Sequence, residues 1–351
     1  MVLAAECSMV NPMTPKNDKI EVNRPCIVCG SGGIGCELYR PRFSPDVGYP
    51  GDFILRRCGC GLIYNSPRLD EAGLAALYDR NYYHFRERHA DAFKRVVALC
   101  QCTITSLLSF APERKVLEVG CARGHTLALM RGLGWEATGI EPSSFAAASA
   151  QKIFDLTVHQ GTLEDFVARR PGVSYPVVFS TDVIEHVPDP RGFLAALSQA
   201  VRPGGILLLG TPNGDAEGIR RFGGQWLGYN NFHIWIFSRD TLARMLTEAG
   251  FEVVAAYSYN NGNPFSYPAR SGTQKTFDRL PPLVRKGVRE ALAAIRSGRD
   301  AWTHPVTRCL HEAIESASLL HAFSETQDGQ HPDASACRGE NLVIIARRAL
   351  S

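Results

Sequence analysis

The sequence is short of the features that would set it apart from ordinary globular proteins. No apolar run in its 351 residues approaches the ~18–20 that a membrane span needs. No block of like charge is massed anywhere. Thirty-eight Lys and Arg stand against 35 Asp and Glu, a net of +3, and the doublets Arg56-Arg57, Arg169-Arg170, Arg220-Arg221 and Arg347-Arg348 are scattered. This argues against nucleic acid as a partner, because such binders gather their basic residues. The amino terminus lacks a basic stretch followed by an apolar one, so no signal peptide is expected. Internal repeats and low-complexity tracts are missing too. What remains is 45% apolar, 21% charged and 9% aromatic, which excludes a wholly disordered chain, a collagen-like fibre and a long coiled coil.

Cysteine is plentiful by comparison. There are eleven, an odd number spread along a long chain, whereas disulfide frameworks come as even sets in short secreted chains. A reducing, cytoplasmic compartment is therefore expected. Five of the eleven fall between Cys26 and Cys60, and that concentration requires its own explanation.

The texture changes along the chain. Residues 1–22 are polar and aperiodic and are expected to form a tail. Residues 23–68 are rich in Gly, Pro and Cys and form a candidate small domain. Residues 69–112 are a helical lead-in, with Leu74, Leu77 and Tyr78 at helical spacing. From 113 to 259 short apolar runs alternate with helical segments. Strands are expected at Val116–Val119, Ala137–Ile140, Leu156–His159, Val177–Ser180, Ile206–Leu209 and Phe251–Tyr257. The helices between them are expected near 124–133, 143–153, 162–170, 190–201 and 239–249. Pro203-Gly204-Gly205 reads as a tight turn before the fifth strand. Strand–helix alternation with apolar strands means a mostly parallel sheet covered on both faces. Residues 260–340 interrupt the pattern with two helical stretches, near 282–297 and 305–323. Residues 341–351 then supply a last strand.

Val116-Leu117-Glu118-Val119-Gly120-Cys121-Ala122-Arg123-Gly124-His125 is a strand that ends in glycine, turns and enters a helix. Glycine lets a ligand approach the backbone, and the helix start offers free N–H groups. The dinucleotide pattern G-x-G-x-x-G fails, because Ala122 and His125 stand where glycines are needed. The pattern E-x-G-x-x-x-G fits. Glu141 lies 21 residues beyond Gly120, at the end of the next expected strand, where a carboxylate can accept from a ribose diol.

At these residues the chain resembles the class I S-adenosylmethionine-dependent methyltransferases. Matching segments run in family order: LEVGCARG (117–124), GIEPS (139–143), GTLEDF (161–166), VVFSTDVIEHVPDP (177–190), VRPGGILLLGTPN (201–213) and FSRDTLARMLTEAGFEV (237–253). The resemblance implies a Rossmann-like α/β fold with a seven-stranded, mostly parallel sheet. It implies S-adenosyl-L-methionine as cofactor. Glu118, Gly120 and Gly124 would line its methionine part, Glu141 would hold the ribose, Thr162 and Leu163 would flank the adenine, and Asp182 would lie beside the sulfonium.

Cys26-Ile27-Val28-Cys29-Gly30 and Cys58-Gly59-Cys60-Gly61 are two tight thiol pairs, which suit tetrahedral zinc. So short a segment cannot build a large apolar core, and a metal would supply the missing stability. The arrangement resembles the zinc ribbon preceding the catalytic domain in one bacterial methyltransferase subgroup, and so do Gly61–Arg68 and Tyr82-Tyr83. The second pair departs from the subgroup's C-x-x-C: it is C-x-C, with Arg57 in place of the first thiolate. Either Cys58 ligates from a tighter turn, or Cys36 substitutes, or the site holds no metal. The remaining cysteines are taken as structural thiols.

Methyl transfer from a sulfonium needs an in-line nucleophile freed of its proton. In Asp182-Val183-Ile184-Glu185-His186, which follows the fourth strand, positions i, i+3 and i+4 can share a face. His233 comes after strand five and can return over the same mouth. The set resembles D/E-x-x-E-H plus a later His in metal-dependent O-methyltransferases of ubiquinone synthesis and of small-RNA ends. Three readings stand: His233 or His186 as general base, a divalent cation on the cluster, or a structural Glu185-His186. The favoured one has His233 as base with His186 supporting. Acceptor specificity is expected from the lead-in with Tyr82, Tyr83, His84 and Phe85, from the loop 214–235 with Trp226, Tyr229 and Trp235, and from the insertion. The expected acceptor is a small molecule or a saccharide. An RNA methyltransferase and a non-enzymatic cofactor-binding regulator are the rivals.

Overall fold

The computed structural model describes residues 19–20, 25–33, 35–40, 54–69, 74, 110–111, 113–132, 134–230, 233–259 and 337–350. All of the expected tail but Lys19–Ile20, nearly all of the lead-in with its Tyr82–Phe85 cluster, and the insertion up to 336 lie outside the described residues; Lys19 and Ile20 form a strand rather than aperiodic chain. Five short strands come first: β1 (Lys19–Ile20), β2 (Cys36–Tyr39), β3 (Leu55–Arg57), β4 (Ile63–Asn65) and β5 (Arg68–Leu69). The chain then alternates through β6 (Lys115–Val119), α1 (His125–Gly132), β7 (Glu136–Glu141), α2 (Ser144–Phe154), β8 (Thr157–Gln160), α3 (Leu163–Arg169), β9 (Tyr175–Thr181), α4 (Pro190–Ala200) and β10 (Val201–Pro212). After these come α5 (Glu217–Phe222), a single 3₁₀ turn, β11 (Trp235–Ile236), α6 (Arg239–Glu248), β12 (Phe251–Tyr259) and β13 (Asn341–Arg348).

Seven strands form the main sheet in the order β12-β13-β10-β9-β6-β7-β8. The pairs β10–β9, β9–β6, β6–β7 and β7–β8 are parallel, while β13 is antiparallel to both β10 and β12. The direction of winding reverses at β6, which has β7 on one side and β9 on the other. Ligands bind beyond the carboxyl ends of the strands at such a point. One apolar cluster (Leu117, Val119, Val178, Leu207, Leu209, Ile344) and another (Val116, Val177, Phe179, Leu208, Ile345) come from alternate residues of the same strands. That is the signature of a sheet buried on both faces.

Side-chain oxygens fix the helix starts: Ser143, Thr162 and Ser238 accept from the N–H groups of Ala146, Asp165 and Thr241. One expectation needs correction. Pro203-Gly204-Gly205 is not a turn preceding the fifth strand but an irregularity inside β10, between Val201 paired with Tyr175 and Ile206 paired with Val177. Gly204, at φ 73°, absorbs it.

A second sheet, antiparallel throughout, has the order β11-β4-β3-β2. Its edge strand β11 comes from the connection between β10 and α6, with Trp235 opposite Tyr64 and Ile236 opposite Ile63. The cysteine-rich segment and the segment after β10 thus share hydrogen bonds. No helix among the described residues is long and apolar enough to cross a membrane.

Candidate active site

Two carboxylates mark the carboxyl ends of β6 and β7. Glu118 is buried; the Thr126 hydroxyl and the Leu127 N–H stabilise its charge, but Oε2 has no partner. Burial first, and the nearby Glu141 charge second, push its carboxyl up to about 8. Glu141 is also buried, yet both its oxygens are engaged: Oε2 accepts from Ala122 N–H and Oε1 from Ser143 N–H, each at 2.8 Å. Burial raises its carboxyl and these two bonds oppose the rise. Glu141 therefore ties the glycine loop to the start of α2, a task the sequence pattern does not reveal.

The two loop glycines are packed tightly against protein. A Cβ on Gly120 would lie 2.4 Å from Val183 Cγ2, and one on Gly124 would lie 2.6 Å from Leu156 Cδ1 and 2.8 Å from Ala150 Cβ. Both have positive φ, 79° and 76°. The space that the missing side chains leave is filled by protein, so these glycines serve close loop packing and left-handed backbone. Through Val183 the loop touches the segment that carries the next group of residues. Thr162 spends its hydroxyl on capping α3, and Leu163 is buried in the core.

Asp182 stands at φ 56°, its N–H bonded to the Gly210 carbonyl at 2.9 Å. The turn it starts carries Glu185 into the interior, where the residue is fully buried. Oε2 of Glu185 accepts from the Thr211 hydroxyl at 2.9 Å. Oε1 has no hydrogen-bond partner, and faces His186 Nε2 at 3.6 Å and His233 Nε2 at 4.0 Å. The two imidazoles meet edge to face with centroids 4.8 Å apart. Burial, then the Asp182 charge, raises the Glu185 carboxyl well above the usual range, while burial lowers His233 to about 4. Nδ1 of His233 lies 2.8 Å from the Gly228 carbonyl. A carbonyl has no proton to give, so Nδ1 must carry one and Nε2 keeps its lone pair toward Glu185. The 3.2 Å approach of Asn230 Nδ2 to Nδ1 is then a contact between two donors.

Four sulfurs converge in the cysteine-rich segment. Cys26 Sγ is 3.6 Å from Cys60 Sγ, and Cys29 Sγ is 3.6 Å from Cys58 Sγ. All four lie within 4.8 Å of one another. Bonds of ~2.3 Å to a tetrahedral zinc put sulfurs ~3.8 Å apart, so the shortened second pair still closes a site. Cys36 is exposed and outside it. The Ser31 backbone lowers the Cys29 thiol to about 7, and burial pushes Cys60 up to about 12.

The sequence brought forward most of these residues but missed others. Thr211, Asn65, the Gly228 carbonyl and Arg191 all hold the site or its surroundings; Thr211 and Asn65 lie in segments that carry the resemblance, but nothing in the sequence assigned a role to any of the four. Three aromatics of the loop 214–235 pack inside the protein. Trp226, Tyr229 and Trp235 are buried, Trp226 against Tyr229, and Trp235 beneath the Arg68 guanidinium.

Comparison with known proteins gives four findings. A family model described as a methyltransferase domain matches residues 78–256. A ubiquinone biosynthesis O-methyltransferase of Thiobacillus denitrificans is 31% identical over 166 residues, 42% of this chain and 69% of that one. Its namesake in Cronobacter sakazakii is 37% identical over 109 residues, 30% of this chain and 44% of that one. Among solved structures, a SAM-dependent methyltransferase from Archaeoglobus fulgidus overlaps 80% of this chain and 100% of its own at 16% identity, with a TM-score of 0.44.

Proposed function

The chain belongs to the S-adenosylmethionine-dependent methyltransferases of class I, and on that premise we propose that it methylates a hydroxyl group of a small molecule. One observation carries the reading: the unpartnered, fully buried Glu185 Oε1 facing two imidazole Nε2 atoms. A carboxylate oxygen and two imidazole nitrogens are a hard-to-borderline donor set for a divalent cation. Glu185, His186 and His233 would hold the cation, and when bound it would lower the pKa of an acceptor hydroxyl. The O-methyltransferase names of the matched relatives agree with a hydroxyl acceptor.

The remaining work falls to the chain. Glu118, whose Oε2 has no protein partner, is suited to the cofactor's ammonium group. Glu141 has lone pairs left for the ribose hydroxyls, and Gly120 and Gly124 shape the loop between them. The backbone of Thr162 and Leu163 would border the adenine, and Asp182 the sulfonium. Four cysteines at tetrahedral spacing, Cys26, Cys29, Cys58 and Cys60, would hold a structural zinc. The segments 23–68 and 113–259 then act as one catalytic body, with 260–340 as the acceptor-side addition.

The test is turnover of a panel of phenolic, sugar-hydroxyl and amine acceptors before and after a chelator, with Mn²⁺, Mg²⁺ or Zn²⁺ added back. Hydroxyl-specific activity, lost on chelation and restored by a cation, is the expected result. Chelator-resistant activity that disappears in His233→Ala would instead favour that imidazole as general base, since Nε2 holds a lone pair. Turnover of amines alone would overturn the hydroxyl reading.

A further inference from the structure

We propose that Asn65, on a cysteine-segment strand outside the family-matched stretch, is a positioning residue for His233. Through it the cysteine segment sets the geometry of the Glu185–His186–His233 cluster. The proposal rests on the reading of that cluster given above.

Asn65 is 1% exposed. Its Nδ2 donates to the carbonyls of Asn230 (3.0 Å) and His233 (2.8 Å). Its backbone N–H donates to the Ile234 carbonyl at 3.1 Å. Asn230 and His233 are therefore both held from one residue. From the opposite side, the Glu185 carbonyl accepts from Ile234 N–H (2.9 Å) and Trp235 N–H (3.2 Å). The His233 backbone is clamped between the strand that carries Asn65 and the turn that carries the other two members of the cluster. Asn230 in turn accepts the His233 N–H through Oδ1 at 2.8 Å. This clamp holds the imidazole where Nδ1 meets the Gly228 carbonyl and Nε2 meets Glu185.

The orientation of Asn65 is chemically fixed. Two carbonyls face its amide, so only the NH₂ end can point at them. Its Oδ1 is left buried without a partner, a sacrifice that keeps both donors on the turn. The strand is itself anchored. β4 begins three residues after Cys60, and the other cysteine knuckle is fastened to α4, where the Arg191 guanidinium donates to the carbonyls of Ile27 (2.6 Å) and Val28 (3.2 Å). A metal joining the two knuckles would make β4 a rigid rail for the histidine turn. Loss of a residue that orients a ligand typically costs about 10–100-fold in metal affinity.

The experiment compares wild type, Asn65→Ala, Asn65→Asp and His233→Ala, each with S-adenosylhomocysteine bound. Two readouts are taken at neutral pH: the ¹⁵N shifts of the histidine rings, which report the His233 tautomer, and calorimetric titration with Mn²⁺. That hard cation leaves the thiolate site alone. Both Asn65 variants should lose the single Nδ1–H tautomer of His233 and bind Mn²⁺ about 10–100-fold more weakly. Asn65→Asp should be the worse, since it sets a carboxylate against two carbonyls. Retained S-adenosylhomocysteine affinity shows that the core is folded. An unchanged His233 tautomer in a folded Asn65 variant overturns the proposal, whatever Mn²⁺ does. A changed tautomer, with Mn²⁺ binding absent or indifferent to His233→Ala, supports the positioning role and removes the cation reading instead.

Discussion

The two halves of the site are built on different principles. On the proposed cofactor side, Glu118, Gly120, Ala122, Gly124 and Glu141 lie within 24 residues, and their bonds run between neighbouring strand ends of one sheet. On the proposed acceptor side, three segments far apart in the chain meet: the turn after β9, the residues from His233 into β11, and β4 of the cysteine segment. A contiguous loop can shape itself with glycines and a carboxylate clasp. A group assembled from distant segments needs an outside scaffold, and here a second sheet provides it. Damage on the cofactor side should weaken cofactor binding, whereas damage on the acceptor side should spare it.

The largest expected effect is at the acceptor side. Glu185→Ala should lower kcat by about 10²–10⁴-fold, the loss expected when assisted proton removal fails, with S-adenosylhomocysteine affinity unchanged by calorimetry. Next comes the cysteine site. If zinc joins the knuckles, stripping it should lower the thermal midpoint on the order of 10 °C, because its binding energy contributes to folding. A metal analysis near zero in protein purified without added metal would remove that expectation. On the cofactor side, Gly120→Ala meets both an unfavourable φ and Val183, and should cost ~1–3 kcal/mol of stability. Urea unfolding measures it.

Glu141→Gln keeps the shape but sets an NH₂ against one of two backbone N–H groups. It should weaken S-adenosylhomocysteine by ~1–3 kcal/mol. Unchanged affinity would confine Glu141 to its structural clasp. The smallest effect concerns Glu118 without cofactor. Its native carboxyl is raised to about 8 from 4.5, so the native state holds the proton more tightly than the unfolded chain. The stability from that proton is full below about 4.5 and is lost as pH rises through 8. Glu118→Gln should therefore melt above wild type at pH 9, with little gain at pH 4.

The sheet was legible because its parallel strands are short apolar runs that alternate with helices. The helices expected near 143–153, 162–170 and 239–249 start at Ser144, Leu163 and Arg239. Glu185, His186 and His233 could be nominated from residue type, and their meeting follows from the sheet order. The clamp around His233 was not legible. Its acceptors are main-chain carbonyls of Gly228, Asn230 and His233, and a carbonyl is identical at every position of a sequence. Asn65 looks like one more polar residue in a turn-rich stretch until β4 and β11 are seen to pair. The packing of the glycine loop was not legible either: spacing shows where a Cβ is forbidden, but not that Val183 stands beside Gly120.

The pairing of β4 with β11 also bears on where the folding unit begins. The family-matched stretch starts at residue 78, beyond β4. A chain trimmed to that boundary would lose the strand that covers Trp235 and Ile236. It would expose an unpaired, apolar edge, the kind of surface along which proteins associate into aggregates. Poor solubility of such a fragment would then reflect a missing neighbour rather than a weak core, and restoring the amino-terminal segment as a separate chain should rescue it.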